Sequence, residues 1–240
     1  MKSALAPLSV LLLVFGCSAG KLDDETTPTT HADGDVPKDD SGDVPPEDSG
    51  PDPIVDTGPP PSGSGCSSKS GYPAAPYGIV VGSVIDPRFQ WEGWADSAAA
   101  SAGTATKYCV GDLFDPKGTA ILLTAAALWC PSCQGQAKTY FPSVWPAWQS
   151  SRVQLFELIV DASARGTPAT PANAATWSKT FSASWPVVAD PAASLFAPPK
   201  RSPLPHNVLI DPRTMKITFM FDGYGGTLTN AVNALIAKNK

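Results

Sequence analysis

Two cysteines three residues apart carry the clearest chemical signal in the chain, in Trp129-Cys130-Pro131-Ser132-Cys133. A C-x-x-C spacing closes a small disulfide ring with little chain movement, so the pair is a natural reversible two-electron couple. Upstream, residues 119–128 form an apolar run of strand length, which predicts a buried strand. Downstream, residues 134–140 can continue as a helix, and Pro131 then falls in its first turn, where a missing N–H costs least. Cys130 would sit at the helix N-terminus, where free N–H groups and the dipole favour a thiolate. Cys133 would lie one turn further in and more buried. These positions make Cys130 the expected nucleophile and Cys133 the expected resolving thiol.

This strand–Trp-Cys-x-x-Cys–helix arrangement resembles the thioredoxin superfamily. It is most similar to the membrane-tethered TlpA-like (redoxin) thiol–disulfide oxidoreductases of bacterial envelopes. The likeness runs over residues 112–240. Residues 153–161 fit the family's second strand, 174–181 its crossover helix and 185–190 the element after it. Leu204-Pro205-His206-Asn207-Val208-Leu209-Ile210-Asp211 matches the family's cis-proline and the strand that follows. Residues 211–215 read as a turn, 216–221 as the partner strand and 228–238 as a closing helix. The resemblance implies an α/β chain with a thioredoxin-like fold: a central mixed β-sheet flanked by helices, preceded by a disordered linker. It implies catalysis by Cys130 and Cys133, and a substrate face built from Trp129, Pro131, Leu204 and Pro205. Residues 66–111 form an N-terminal extension outside the match. Within it, 77–94 is expected to give a hairpin or strand pair and 95–107 a loop.

The sequence departs from the family at several points. Many thioredoxins place a buried carboxylate six residues before the first cysteine, where it takes a proton from the second. Thr124 stands there, and a hydroxyl cannot do that work near neutral pH. Ala125, Ala126 and Ala127 replace the aromatic residues that often precede the motif. His206, directly after Pro205, has three readings: a surface imidazole beside a turn, a group that tunes the Cys130 thiolate, or a ligand with the cysteines for a soft metal such as Cu(I). No resident metal or cofactor is called for by the exchange chemistry. In residues 140–148, Pro142 and Pro146 are expected to kink or end the helix, with the aromatic side chains packed into the core.

The start of the chain sets the compartment. One lysine precedes an apolar stretch from Ala4 to Phe15, which ends at Gly16-Cys17. Residues 1–16 therefore read as an export signal, too short to span a membrane comfortably. The small residue before a cysteine resembles a bacterial lipobox, which implies lipidation of Cys17. Ser18 follows, rather than the aspartate that favours inner-membrane retention in lipoproteins. The expected location is thus a lipid-anchored protein of the outer membrane, facing the periplasm or the cell surface. Residues 17–65 hold nine of the chain's 26 prolines, and from Lys21 to Gly65 there are 12 acidic residues against 2 lysines. Such a segment cannot offset its ordering entropy by apolar burial and reads as a disordered tether. From Cys66 onward 14 basic residues meet 10 acidic ones. That weak positive balance behind an acidic arm argues against a nucleic-acid partner. Residues 66–240 are long enough for one well-buried domain, expected to be monomeric.

Of the five cysteines, Cys66 and Cys109 remain once Cys17 and the C-x-x-C pair are assigned. In an oxidising compartment a structural disulfide between them is the simple expectation. The alternatives are an unpaired Cys66 that pairs between molecules, or shuffling with Cys130. Three functions fit these residues. The first is thiol–disulfide exchange with protein substrates, with a membrane electron donor if the protein is a reductant. The second is a non-catalytic surface or binding module whose C-x-x-C is a static disulfide. The third is a thiol peroxidase, which wants Thr or Ser three residues before the reactive cysteine, where Ala127 stands.

Overall fold

The computed structural model describes residues 65–196 and 203–240. The export signal, Cys17 and residues 17–64 of the tether lie outside the described residues. Seven strands form one mixed sheet in the order β2-β1-β5-β4-β3-β6-β7. The strands are β1 (Gln90–Trp94), β2 (Thr106–Cys109), β3 (Ala120–Ala127), β4 (Val153–Asp161), β5 (Val187–Ala189), β6 (His206–Asp211) and β7 (Lys216–Asp222). β3, β4 and β5 run parallel to one another, while β6 is antiparallel to β3 and β7 to β6. The apolar run expected as a strand is β3, and all eight of its residues are buried. Such a strand needs cover on both faces, and its alternate residues feed two separate clusters.

The first cluster takes Ala120, Leu122 and Ala126 of β3 together with Cys130 and Cys133. Helices α1 (Ser97–Ala102), α2 (Pro131–Gly135), α3 (Phe141–Ser150), α4 (Pro171–Thr180) and α5 (Gly226–Asn239) all contribute to it. The second cluster takes Ile121, Leu123 and Ala125 of β3. It is closed by Ile85, Trp91 and Val110 from the N-terminal extension, by Leu113 and Phe114 just after it, and by Leu195 and Phe196.

The extension differs from its expected form. Residues 77–94 hold one strand, β1, rather than a strand pair; its partner β2 lies beyond them, and residues 95–107 are not a loop but hold α1 and the start of β2. Asp96 caps α1, its carboxylate accepting the Ala99 N–H at 2.7 Å, and Gly103 ends it at φ 82°. A good cap and an alanine-rich run stabilise a helix too short to show an apolar stripe. Cys66 and Cys109 are joined by a disulfide, with Cα atoms 5.7 Å apart. That bond ties the start of the extension to the end of β2.

The two prolines after the C-x-x-C motif do not end the helix. Residues 136–140 form one wide turn in which the Phe141 N–H reaches the Gln136 carbonyl, five residues back. A wide turn removes the clash that Pro142 would make with a carbonyl four residues earlier. Pro146 then lies inside α3, which runs on to Ser150. Phe141, Trp145 and Trp148 are buried in the first cluster, as core packing requires.

Candidate redox site

The turn out of β3 places the cysteines. Between Ala126 and Ala127 the β3–β4 register shifts, the Leu128 N–H donates to the Asp161 carbonyl, and the Cys130 N–H donates to the Ala127 carbonyl. The chain is thereby delivered to α2 with Cys130 as its N-cap and Pro131 as its first residue. The Cys133 N–H points back at the Cys130 Sγ at 3.1 Å. An N–H aimed at that sulfur, at a helix N-terminus, favours negative charge on it. Cys130 and Cys133 are joined as a disulfide, Cys133 fully buried and Cys130 4% exposed.

Trp129 is fixed from two sides. Its indole N–H donates to Asp161 Oδ2 at 3.3 Å, and the Arg165 guanidinium lies 4.6 Å from its ring. Asp161 Oδ2 also accepts the Gly166 N–H at 3.1 Å, which folds the loop after β4 towards the motif. Leu204 and Pro205 come to the same end of the sheet. The β3–β6 register pairs Ala125 with His206, so Pro205 falls at the level where β3 turns towards Cys130. Leu204 packs against the cluster that contains both cysteines, and the Leu204–Pro205 peptide is cis. Pro131 instead lines a cavity of about 500 Å³ between α2 and α4, with Gln134, Lys138, Trp177 and Phe181.

His206 does not join the cysteines. It shares the β6 alternation of Val208 and Ile210, which face the second cluster, whereas Asn207 and Leu209 face the first. Its ring packs on Phe196, with centroids 4.7 Å apart, and its Nδ1 lies 2.6 Å from Asp222 Oδ1. The side chain is also mostly buried rather than a surface imidazole. Among the described residues no group of three His, Cys, Asp or Glu could hold a metal ion.

A polar row crosses the sheet beneath α2. The strand registers align Trp94, Val187, Glu157, Thr124, Asn207 and Phe221 on β1, β5, β4, β3, β6 and β7. The Thr124 hydroxyl donates to Asn207 Oδ1 at 2.8 Å, and Gln136 Nε2 donates to the same oxygen at 3.0 Å. Asn207 Nδ2 donates in turn to the Phe221 and Gly223 carbonyls. Glu157 is fully buried. Its Oε2 accepts the Trp185 indole N–H at 3.0 Å, while its Oε1 has no partner among the described residues. Burial pushes the Glu157 carboxyl up from the usual 4.5 to about 7, opposed by the Trp185 indole and the nearby Trp177 indole. Reading residues 153–161 simply as a strand passes over this carboxylate. The signal was present, because a glutamate between Phe156 and Leu158 in a strand buried on both faces is rarely incidental.

No family model and no curated protein matches the sequence. Among solved structures, a thiol:disulfide interchange protein of the thioredoxin family from Chlorobium tepidum aligns at 16% identity and a TM-score of 0.45. The alignment covers 62% of this chain and 95% of that one. A thiol:disulfide interchange protein from a Bacteroides species aligns at 18% identity and a TM-score of 0.44, over 66% and 91% of the two chains. Peroxidoxin BcpB from Mycobacterium tuberculosis aligns at 15% identity and 0.45, over 67% and 97%. The fold is thioredoxin-like. Its own topology carries that statement: two parallel strands, β3 and β4, are followed by the antiparallel β6 and β7. A C-x-x-C helix leaves β3, and a cis-proline precedes β6.

Proposed function

We propose that this protein is a thiol–disulfide oxidoreductase that exchanges the Cys130–Cys133 couple with protein substrates in the bacterial cell envelope. The observation that supports it best is the position of Cys130. It caps α2 at the end of the sheet reached by cis-Pro205, and its sulfur accepts the Cys133 N–H at 3.1 Å. In the reducing direction the Cys130 thiolate attacks one sulfur of a substrate disulfide and releases the other as a thiolate. Cys133 then attacks Cys130, the bond between Cys130 and the substrate breaks, and the substrate leaves carrying two electrons. Trp129, Leu204 and Pro205 frame the face on which a peptide would lie, while Pro131 lines the cavity between α2 and α4, and no cofactor enters the cycle.

Export and anchoring complete the proposal. Residues 1–16 direct secretion, Cys17 carries lipid, and the acidic segment to residue 65 spaces residues 66–240 from the outer membrane. A reductant in that compartment needs a membrane electron donor. Metabolic labelling with a radioactive fatty acid should mark the wild-type chain and leave Cys17→Ala unlabelled.

The deciding experiment is a redox titration of the protein in glutathione buffers, with thiols trapped and located by mass spectrometry. The expected result is one two-electron transition at Cys130 and Cys133, loss of exchange in Cys130→Ala, and trapped mixed disulfides in Cys133→Ala. Exchange at the wild-type rate in Cys130→Ala overturns the proposal. A second reading, a binding module with a static disulfide, is favoured by the 4% exposure of Cys130. A pair that never titrates in the folded protein establishes that reading instead.

A further inference from the structure

Oxidation of a dithiol needs a place for the proton of the buried thiol. Cys133 is fully buried, so its S–H has no direct access to water when it must attack Cys130. The sheet residue six before Cys130, Thr124, carries a hydroxyl and cannot accept that proton near neutral pH. One strand away, Glu157 is paired with Thr124 in the parallel β3–β4 register. Adjacent strands lie about 4.8 Å apart, so the two residues are immediate neighbours on one face. That face is the one under α2: Leu155 and Ile159, which flank Glu157 in its alternation, share the first cluster with Cys130 and Cys133.

The helix side of the connection is also defined. Gln136 lies three residues, or one turn, beyond Cys133, and its Nε2 bonds to the Asn207 oxygen that accepts the Thr124 hydroxyl proton. Gln136 thus ties the turn after Cys133 to Asn207 and through it to Thr124, the register neighbour of Glu157 on β3. Gln136 Oε1 and Glu157 Oε1 are both buried and make no hydrogen bond among the described residues, the Trp177 indole being the nearby donor that opposes the rise of the Glu157 pKa. A carboxyl that takes up a proton becomes a donor at such a site.

We propose that Glu157 is the proton acceptor for the Cys133 thiol, standing on β4 in place of the carboxylate that β3 lacks. This inference rests on the proposed exchange reaction. In the resolving step the Glu157 carboxylate gains the Cys133 proton, and the Cys133 thiolate attacks the Cys130 sulfur. The Cys130–substrate bond breaks, the Cys130–Cys133 bond forms, and the substrate thiolate departs. Glu157 afterwards returns its proton to solvent or, in the reverse direction, to Cys133. Its titration lies in the range this requires, raised by burial to about 7. The groups beside it are Thr124 on β3, Val187 on β5, Trp177 on α4, and Trp185. The next carboxylate along β4, Asp161, is engaged with Trp129 and Gly166. No charged group contributes to its shift, which comes from burial opposed by the Trp185 and Trp177 indoles.

The test follows release of a substrate peptide from a mixed disulfide preformed on Cys130, in the full chain, from pH 5.5 to 8.5. Wild-type release is expected to rise through pH 7. Glu157→Gln should match it within twofold at pH 5.5 and fall at least tenfold behind at pH 8, with the alkylation rate of Cys130 unchanged within twofold. A structural lesion would instead slow both steps at every pH. Release profiles that superimpose, or that differ equally at all pH values, overturn the inference while leaving the exchange reaction standing. Absence of any exchange in the wild type overturns both. If Glu157→Gln fails to fold, the ¹³C carboxyl titration of Glu157 in the wild type decides. Its midpoint must differ by at least half a pH unit between the Cys130–Cys133 disulfide and dithiol, and an identical midpoint refutes the proposal.

Discussion

Glu157→Gln should change how stability depends on pH, even without a substrate. The wild-type carboxyl titrates near 4.5 when the chain is unfolded and near 7 when it is buried beside Trp185. Between those values the folded chain keeps a proton that the unfolded chain has lost. Stability therefore falls as pH rises through this window, because the unfolded state binds fewer protons there. The contribution is fully present below pH 4.5 and is lost by the time the pH passes about 7. At about 1.4 kcal/mol per pH unit, the gap amounts to about 3 kcal/mol. Glutamine has nearly the same shape and never ionises, so the difference between the two proteins isolates this contribution from every other carboxylate. Urea unfolding at intervals from pH 4 to pH 9 is the assay. From pH 4 to pH 8 the difference in unfolding free energy should move by about 3 kcal/mol in favour of Glu157→Gln. With a slope of ~2 kcal/mol/M, that is a relative midpoint shift of about 1.5 M urea. The change should be confined to the interval between 4.5 and 7 and flat above it. Curves that stay parallel from pH 4 to pH 9 would show that Glu157 ionises alike in both states, and the burial argument would be wrong.

Three further outcomes follow from the packing. Replacing Cys66 and Cys109 together by serine opens a loop with a sequence separation of 43 residues, a loss of about 4 kcal/mol on the chain-entropy relation. Unfolding without reductant checks it, and a loss under about 1 kcal/mol would contradict the tie between the extension and β2. Gly93→Ala puts a Cβ 2.2 Å from the Val187 carbonyl oxygen and 2.5 Å from Val188 Cα, so β1 must separate from β5. Its cost should reach the upper end of the ~1–3 kcal/mol typical of overpacking, whereas Gly226→Ala, with nothing within 4 Å, should be neutral or stabilising in the same melts. His206→Asn should leave the exchange rate within twofold at every pH, since the ring faces Phe196 and Asp222. It should still lower stability by about 1–2 kcal/mol through the lost contact with Asp222, and a tenfold fall in exchange rate would refute the assigned orientation.

What could be read from the residues in order was mostly local. An unbroken apolar run is enough for β3, and Pro131 after a cysteine is enough for the start of α2, because period and capping act over a few residues. The short helix α1 escaped because six residues of serine and alanine carry no apolar stripe, only a cap at Asp96 and a stop at Gly103. His206 was drawn towards Cys130 by its nearness to Pro205 in the chain. Alternation on β6 decides the matter the other way, since successive strand residues point to opposite faces.

Glu157 illustrates the stricter limit. A charge in the middle of a doubly buried strand is visible in the sequence and already asks for an explanation. Its partner is not visible, because Thr124 lies 33 positions away and becomes its neighbour only through the β3–β4 register. A slip of one residue in that pairing would carry Glu157 to the opposite face, beside Ile121, Leu123 and Ala125 of β3 and away from both cysteines. The chemistry of the buried carboxylate thus depends on pairing rather than on any motif.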